Sequence, residues 1–236
     1  MIDLDLALQR GEFSLELAIT TPLRALALFG PSGCGKTSTL LAMAGLLHPR
    51  RGRMAIDDHV LFDSAAGIDL PAAHRNLGVV FQDARLFPNM SVRDNLRYGM
   101  PRGAAPAAFD DAVSLLGLST LLKHKPGQLS GGQARRVAIG RALLRRPRAL
   151  LLDEPLANLH REARAEVLQH LVRLKQEFAL TTVMVSHQHD EVAALADAVA
   201  LIDDGRLAAL QDIAEFRATP AAPYAATTAP DRCAAR

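Results

Sequence analysis

The stretch that most constrains the fold of this chain is Gly30-Pro-Ser-Gly-Cys-Gly-Lys-Thr37, which matches the pattern G-x-x-x-x-G-K-[ST] in full. It follows an apolar run from Leu23 to Phe29 and precedes a predicted helix from Lys36 to Leu47. In a glycine-rich turn of this kind, successive backbone N–H groups converge on one anion, and the helix adds its positive N-terminal dipole. The lysine suits phosphate oxygens and the threonine hydroxyl suits Mg²⁺. The stretch therefore predicts a nucleotide site in an α/β fold.

Apolar periodicity supplies the rest of the predicted sheet. Residues 2–8 and 13–19 alternate between apolar and polar, which predicts an antiparallel hairpin with one solvated face. Further hairpins are predicted to turn at Asp57-Asp58 and at Asp204-Gly205. Continuous apolar runs predict buried strands at 23–29, 77–81, 149–152 and 181–185.

Each buried run ends on a glycine or a polar residue: Gly30, Gln82, Asp153 or, after Ser186, His187. The carboxyl ends of parallel strands meet at one crevice, so these groups are expected to lie together. Asp153 would hold Mg²⁺ through water, and the adjacent Glu154 would act as general base. The alternative is a pair of carboxylates that cap a helix.

Composition limits the class of partner. A net charge of +2, from 27 basic and 25 acidic residues, gives no case for a nucleic-acid partner. Two distant cysteines favour a reducing compartment over a disulfide framework. The first ten residues do not resemble a secretory signal, and no apolar run is long enough to cross a membrane. A membrane role is therefore expected to require a partner.

The stretch Leu129-Ser-Gly-Gly-Gln133 opens a predicted helix and forms a second anion-binding helix start. One nucleotide needs only one phosphate cradle from its own subunit. A second cradle is explained if it faces the γ-phosphate of a nucleotide bound by another copy. We therefore expect a head-to-tail pair of copies with two ATP molecules at the seam.

The motifs GPSGCGKT, VVFQD, LSGGQ, LLLDEP and VSH occur in this order, and the chain thereby resembles the ATP-binding cassette family over residues 1–217. The resemblance implies a P-loop NTPase core of the α/β class with a mixed, largely parallel sheet. It also implies an antiparallel β subdomain and an inserted helical subdomain at about 84–147. Residues 218–236 are expected to form a disordered tail, because they are rich in Ala, Pro and Thr.

The resemblance also implies roles for single residues. Ser130, Gly131, Gly132 and Gln133 would act in trans on the partner's ATP. Gln82 would touch Mg²⁺ or the attacking water, and His187 would hydrogen-bond the γ-phosphate, although a structural histidine is the alternative. Phe13 would stack on adenine or simply belong to the apolar stripe of its strand. Cys34 is expected to point out of the loop. Nucleotide contacts are assigned to Gly30, Pro31, Ser32, Gly33, Cys34, Gly35, Lys36, Thr37 and Ser38, and metal contacts to Thr37, Gln82 and Asp153.

One position departs from the family pattern. His160 occupies the place of an aspartate that in relatives lies at the dimer seam. One hypothesis is that backbone groups supply most of the coupling between the two sites there, so that histidine is tolerated. The other is that hydrolysis is weaker or more dependent on pH, because histidine titrates near neutrality.

The segment His74 to Met100, with its phrases DARLFP and NLRYGM, resembles the ATPases of molybdate importers. This implies molybdate or tungstate as cargo, a polytopic permease docked near the segment after Gln82, an oxyanion-binding protein, and a place at the cytoplasmic face of the membrane. The chain ends before the C-terminal regulatory domain of many such relatives, which puts feedback by intracellular molybdate in doubt. Alternatives are another anion importer, such as a sulfate-type one, and a non-transport member of the family. A plain P-loop kinase or GTPase would leave LSGGQ without a role.

Overall fold

The computed structural model describes residues 1–101, 103, 105–178 and 180–218. These residues form one sheet of eleven strands and seven α-helices. The strands are β1 (Ile2–Arg10), β2 (Phe13–Thr21), β3 (Ala25–Phe29), β4 (Arg51–Ile56), β5 (His59–Asp63), β6 (Ile68–Asp69), β7 (Leu77–Val80), β8 (Ala149–Asp153), β9 (Thr181–Ser186), β10 (Ala198–Asp203) and β11 (Arg206–Asp212). The helices are α1 (Lys36–Met43), α2 (Val92–Tyr98), α3 (Pro106–Leu115), α4 (Gly131–Leu144), α5 (Arg161–Glu177), α6 (His189–Leu195) and α7 (Ile213–Ala218).

One end of the sheet is antiparallel, in the order β6-β5-β4-β1-β2. The even-numbered residues of β1 are buried, from Ile2 to Leu8, so its alternation places one face in the core. The second hairpin turns at Asp57-Asp58, between β4 and β5, as the sequence predicts. The predicted hairpins are therefore confirmed, including β10–β11.

The other end of the sheet is parallel, in the order β10-β3-β9-β8-β7. Strand β11 pairs antiparallel with β10 and touches β2 at Arg206 and Glu16, which joins the two halves. Because β3, β9, β8 and β7 are parallel neighbours, their carboxyl ends lie along one edge. The predicted convergence of the four strand ends is confirmed at the level of topology.

Buried residues on alternate positions divide the core into two layers, one on each face of the sheet. In β8, Leu150 and Leu152 belong to the layer that also contains α4 and α5, whereas Ala149 and Leu151 belong to the layer that contains α1. All four side chains are almost fully buried. Because both faces of this strand are buried, its sequence is a continuous apolar run. The functional edge of the sheet is therefore held from both sides.

Three helices, α2, α3 and α4, lie within the segment 84–147 for which helical structure is predicted. Helix α4 contacts α2, α3, α5 and strand β7, so it connects this segment to the sheet. Among the described helices, none has the length and apolarity needed to cross a membrane.

The structure corrects the predicted end of α1, which stops at Met43 rather than Leu47. The buried side chain of Arg75 donates to the carbonyl oxygens of Ala42 at 2.6 Å and of Met43 at 2.9 Å, and so satisfies the helix end. Gly45 then adopts a left-handed conformation with φ of 74°, which breaks the helical path.

Two further boundaries differ from the predictions. Strand β3 begins at Ala25, and Leu23 remains exposed. The apolar periodicity from Arg161 to Phe178 predicts an amphipathic helix with Phe178 on its apolar stripe, but α5 ends at Glu177. Because Phe178 is extended and follows the last helical turn, it leaves the stripe formed by Val167, Leu171 and Leu174. The predicted tail lies outside the described residues, apart from Ala218.

Candidate nucleotide site

The phosphate loop connects β3 to α1 and passes close to two other strands. A Cβ atom at Gly30 would lie 2.0 Å from the carbonyl oxygen of Ile202, and one at Gly35 would lie 2.5 Å from Leu15 Cδ1. Gly35 also has a backbone φ of 105°, which residues with a side chain rarely adopt. Gly35 is the N-cap of α1 and offers no side chain to the first helical turn, so the N–H groups of that turn remain free to bind a phosphate.

Lys36 is almost fully buried at the start of α1. Its Nζ donates to the carbonyl oxygens of Gly30 at 2.8 Å and Pro31 at 2.6 Å, and lies 3.7 Å from Cys34 Sγ. The side chain therefore folds back across the loop. This places its positive charge at the centre of the backbone groups that a phosphate would approach.

The expectation that Cys34 points out of the loop is wrong. Its side chain is buried in the apolar layer that includes Leu28 and Ile202. The loop curls around the sulfur so tightly that a Cβ atom at Gly30 would lie 3.0 Å from Sγ. Burial raises the pKa of the Cys34 thiol, and the charge of Lys36 opposes this. The thiol is therefore a neutral group packed in the apolar layer.

Thr37 and Asp153 meet at the predicted metal site. Thr37 Oγ1 donates to Asp153 Oδ1 at 2.9 Å, which links the start of α1 to the end of β8. Burial raises the pKa of Asp153, and the hydrogen bond from Thr37 lowers it. A buried carboxylate beside a hydroxyl is a hard oxygen pair of the kind that binds Mg²⁺. The described residues contain no group of three His, Cys, Asp or Glu side chains suited to a metal ion.

Glu154 and His187 form a hydrogen-bonded pair at adjacent strand ends. His187 Nδ1 lies 3.1 Å from Glu154 Oε1. The backbone N–H of Glu154 donates to the carbonyl oxygen of Val185 at 3.0 Å, and Glu154 adopts φ of 44°. Non-glycine residues rarely adopt this conformation, and those that do are concentrated at functional sites. The structure brings the predicted base and the predicted histidine into direct contact.

Residues next to His187 form a buried network that the sequence analysis missed. The hydroxyl of Ser186 donates to Glu191 Oε2 at 2.7 Å and accepts the backbone N–H of Gln188 at 3.0 Å. Glu191 is almost fully buried and pairs with Arg164 of α5. The network fixes the backbone on both sides of His187. Ser186 belongs to the VSH motif, but no motif marks Glu191 or Arg164 as members of the network.

Gln82 follows β7 at the same edge, and its side chain is exposed. Its backbone carbonyl accepts a hydrogen bond from Arg135 of α4, as does the carbonyl of Phe81. Burial lowers the pKa of Arg135, and the charges of Asp83 and Asp153 oppose this. Arg135 was not predicted as a functional residue.

A cleft of about 460 Å³ lies in front of the phosphate loop, and Phe13 forms part of its wall. Phe13 is partly buried against the apolar layer, so both interpretations of this residue fit its position. Arg10, at the end of β1, also lines the cleft, and the sequence analysis missed it. The cleft is lined by Arg10, Phe13, Ser32, Gly33, Gly35, Lys36, Thr37, Ser38 and Glu154.

The second predicted phosphate cradle begins α4. Ser130 Oγ accepts the backbone N–H of Gln133 at 3.2 Å, and Gln133 Oε1 accepts that of Ser130 at 2.9 Å. This reciprocal cap fixes the helix start. A Cβ atom at Gly132 would lie 3.0 Å from Ala163 Cβ, so α5 requires a residue without a side chain there. In the described part of the chain, the residues from Ser130 to Gln133 do not line the cleft beside Lys36.

His160 is the N-cap residue of α5 and is exposed. Its side chain makes no capping hydrogen bond. Aspartate is among the best N-cap residues, whereas histidine is not one of the favoured types. The side chain of His160 therefore leaves the N-terminus of α5 uncapped.

Comparison with known proteins identifies relatives of this chain. Residues 18–157 match the family model described as ABC transporter. The chain is 48% identical over 226 residues to the molybdenum import ATP-binding protein ModC of Rhodospirillum rubrum, and 49% identical over 212 residues to the ModC of Paramagnetospirillum magneticum. The aligned regions cover 94% and 89% of this chain but only 61% and 58% of those relatives.

A solved structure has a similar fold. It is the dimeric post-hydrolysis state of the ATP-binding cassette MJ0796 bound to ADP and Pi, with a TM-score of 0.73 and 26% sequence identity. The match covers 90% of this chain and 99% of that cassette. The sheet, the phosphate loop and the strand-end residues described above thus occur in a chain similar to known nucleotide-binding cassettes.

Proposed function

This chain belongs to the ABC transporter family, and on that premise we propose that it is the ATP-hydrolysing subunit of a molybdate importer. The observation that best supports ATP hydrolysis is the contact of His187 Nδ1 with Glu154 Oε1, at 3.1 Å, beside a complete phosphate loop. A carboxylate held by a second group, next to an anion cradle, is suited to activate water for hydrolysis of a phosphoanhydride.

ATP binding rests on the loop and the cleft. The β- and γ-phosphates would accept hydrogen bonds from the free N–H groups at the start of α1, and Lys36 would add its charge. Phe13, at the wall of the cleft, is positioned to contact the base, and Arg10 lies beside it. The similar cassette MJ0796 binds ADP and Pi, which supports a nucleotide of this kind.

Thr37, Asp153 and Gln82 are the residues that we expect at Mg²⁺. The first two already share a hydrogen bond at 2.9 Å, and the third follows the neighbouring parallel strand. When bound, Mg²⁺ neutralises the charge that develops on the phosphate oxygens. The carboxylate of Glu154 would then take a proton from water, while His187 holds that carboxylate in place and contacts the γ-phosphate.

A second copy of the chain would complete each site. The start of α4 is a rigid, capped helix end with exposed glycine and serine residues, and it lies apart from the cleft of its own chain. A head-to-tail dimer would bring Ser130 and its neighbours to the γ-phosphate bound by the partner. The dimeric state of MJ0796 supports the pairing of two copies.

The assignment of molybdate rests on the ModC relatives, whose names state molybdenum import. By the same similarity we propose a polytopic permease as partner, an oxyanion-binding protein acting through that permease, and a position at the cytoplasmic face of the cell membrane. The segment after Gln82 would meet the permease.

The test is complementation of a strain that lacks this gene. At limiting molybdate, the wild-type chain should restore molybdoenzyme activity, and Glu154→Gln should not. Glu177→Gln is the matched control, because Glu177 is an exposed glutamate at the end of α5.

Growth on limiting sulfate separates the competing functions. Rescue of growth on sulfate, without rescue of molybdoenzyme activity, would identify a sulfate-type importer instead. Recovery of the chain with ribosomes or DNA, rather than with a polytopic membrane protein, would indicate a non-transport role.

A further inference from the structure

The segment that follows β7 is irregular, and two arginines of α4 bind its backbone. Arg135 donates to the carbonyl oxygens of Phe81 and Gln82, and Arg141 donates to those of Arg85 at 2.9 Å and Ala84 at 3.4 Å. An irregular segment has no regular ladder to satisfy its carbonyl groups. One helix therefore supplies donors to four carbonyls in five residues.

Arg135 is the more buried of the two, with 4% of its surface exposed. Its planar guanidinium presents donors in a fixed fork, so bonds to two successive carbonyls restrict both the position and the direction of the segment. In the part of the chain that the structure describes, no carboxylate lies within ion-pair distance of Arg135. Among the described residues, the hydrogen bonds of the Arg135 guanidinium therefore go to the backbone carbonyls of Phe81 and Gln82.

The position of Arg135 along α4 gives these bonds a functional context. It lies two residues after Gln133, in the first turns of the helix whose capped start is proposed to contact the partner's nucleotide. Its charge also acts on Asp153 at the end of β8. The same side chain thus adjoins the start of α4, the segment that carries Gln82, and the metal-binding edge.

We infer that Arg135 is a positioning residue: it fixes the backbone at Gln82 to helix α4, so that Gln82 takes its catalytic position when α4 engages the partner's nucleotide. This inference rests on the proposed ATPase function. It predicts that loss of Arg135 impairs turnover through Gln82, with the phosphate loop unaffected.

The experiment measures ATP hydrolysis and ATP affinity for the purified full chain and for Arg135→Gln, Gln82→Ala and the double variant. Arg136→Gln is the matched control, because Arg136 is a neighbouring buried arginine that also donates to backbone carbonyls, at Leu116 and Gly117. Circular dichroism confirms that each variant is folded. If Arg135→Gln does not fold, Arg135→Lys takes its place in the experiment, because lysine keeps the positive charge and lacks the planar pair of donors of the guanidinium.

Arg135→Gln should lower kcat by up to about 100-fold, the cost of a misplacement of about 1 Å, with unchanged ATP affinity. Arg136→Gln should lower the unfolding temperature and leave kcat of the folded chain near wild type. In the Gln82→Ala background, the effect of Arg135→Gln on kcat should disappear, and Arg135→Lys should be intermediate in the wild-type background.

A kcat of Arg135→Gln or Arg135→Lys equal to wild type would overturn the inference. Losses that multiply in the double variant would also overturn it, because they would mean that the two residues act independently. Absence of hydrolysis in the wild-type chain would instead refute the proposed function on which the inference rests.

Discussion

Replacement of His160 by aspartate should stabilise helix α5 by a predictable amount. His160 is the N-cap of α5, with extended backbone angles of φ −64° and ψ 155°, and its side chain makes no capping bond. An aspartate in this geometry can accept a backbone N–H from the first helical turn. A cap of this kind contributes about 1 kcal/mol relative to a residue that does not cap.

The expected change in melting temperature follows from the length of the chain. For 150–250 residues, 1 kcal/mol corresponds to a shift of roughly 2–4 °C in Tm. His160→Asp should therefore raise Tm by roughly this amount. His160→Asn should give most of the same gain, because asparagine caps without a charge. The carboxylate of the Asp variant also interacts with the helix dipole, which adds a further stabilisation of about 0.3–1 kcal/mol at low salt and should shrink in high salt.

The assay is thermal unfolding in the absence of nucleotide, followed by far-ultraviolet circular dichroism, for wild type, His160→Asp, His160→Asn and His160→Ala. Alanine removes the imidazole and supplies no cap, so it controls for loss of the histidine itself. The reasoning is refuted if the Asp and Asn variants melt no higher than the Ala variant.

Four further predictions concern the site. Glu154→Gln should lower kcat for ATP hydrolysis by about 10²–10⁴-fold, the usual contribution of a general base, with ATP affinity retained; a near-normal rate would exclude Glu154 as the base. Lys36→Ala should mainly lose ATP binding in equilibrium titrations, and binding at wild-type affinity would contradict its role. Burial raises the pKa of Asp153 in the folded chain above its unfolded value, so its charge destabilises the fold at higher pH. This penalty shrinks as pH falls through the folded pKa and vanishes below the unfolded pKa. Asp153→Asn, which keeps an acceptor for Thr37, should therefore melt higher than wild type at neutral pH, with a gain that narrows on acidification; a gain independent of pH would refute this cause. Finally, if His160 makes hydrolysis depend on pH, His160→Asp should flatten the ATPase profile between about pH 6 and 8, and identical rates and profiles would refute the idea.

Features predicted correctly from the sequence are those with local causes. The hairpin of β1 and β2 follows from alternation over consecutive residues, and the loop before α1 follows from the glycine spacing. The meeting of Glu154 and His187 is not local, but parallel strands bring their ends together once the apolar runs are recognised.

Features that the sequence analysis missed depend on contacts between distant residues. Helix α1 ends early because Arg75, more than thirty residues away, binds its last carbonyls. Cys34 is buried because the loop curls over its sulfur, which residue type alone does not reveal. Arg135 contacts carbonyls 53 and 54 residues earlier in the chain, and no short pattern encodes that pairing.

The proposed sharing of each nucleotide site between two copies can be tested by sedimentation velocity of Glu154→Gln with and without ATP. This variant should bind ATP and hydrolyse it slowly, so ATP should convert it from monomer to dimer. Ser130→Arg, added to the same chain, should abolish the dimer while ATP still binds at the phosphate loop. A Glu154→Gln chain that remains monomeric with ATP bound, or that dimerises equally well with Ser130→Arg, would contradict the arrangement proposed here.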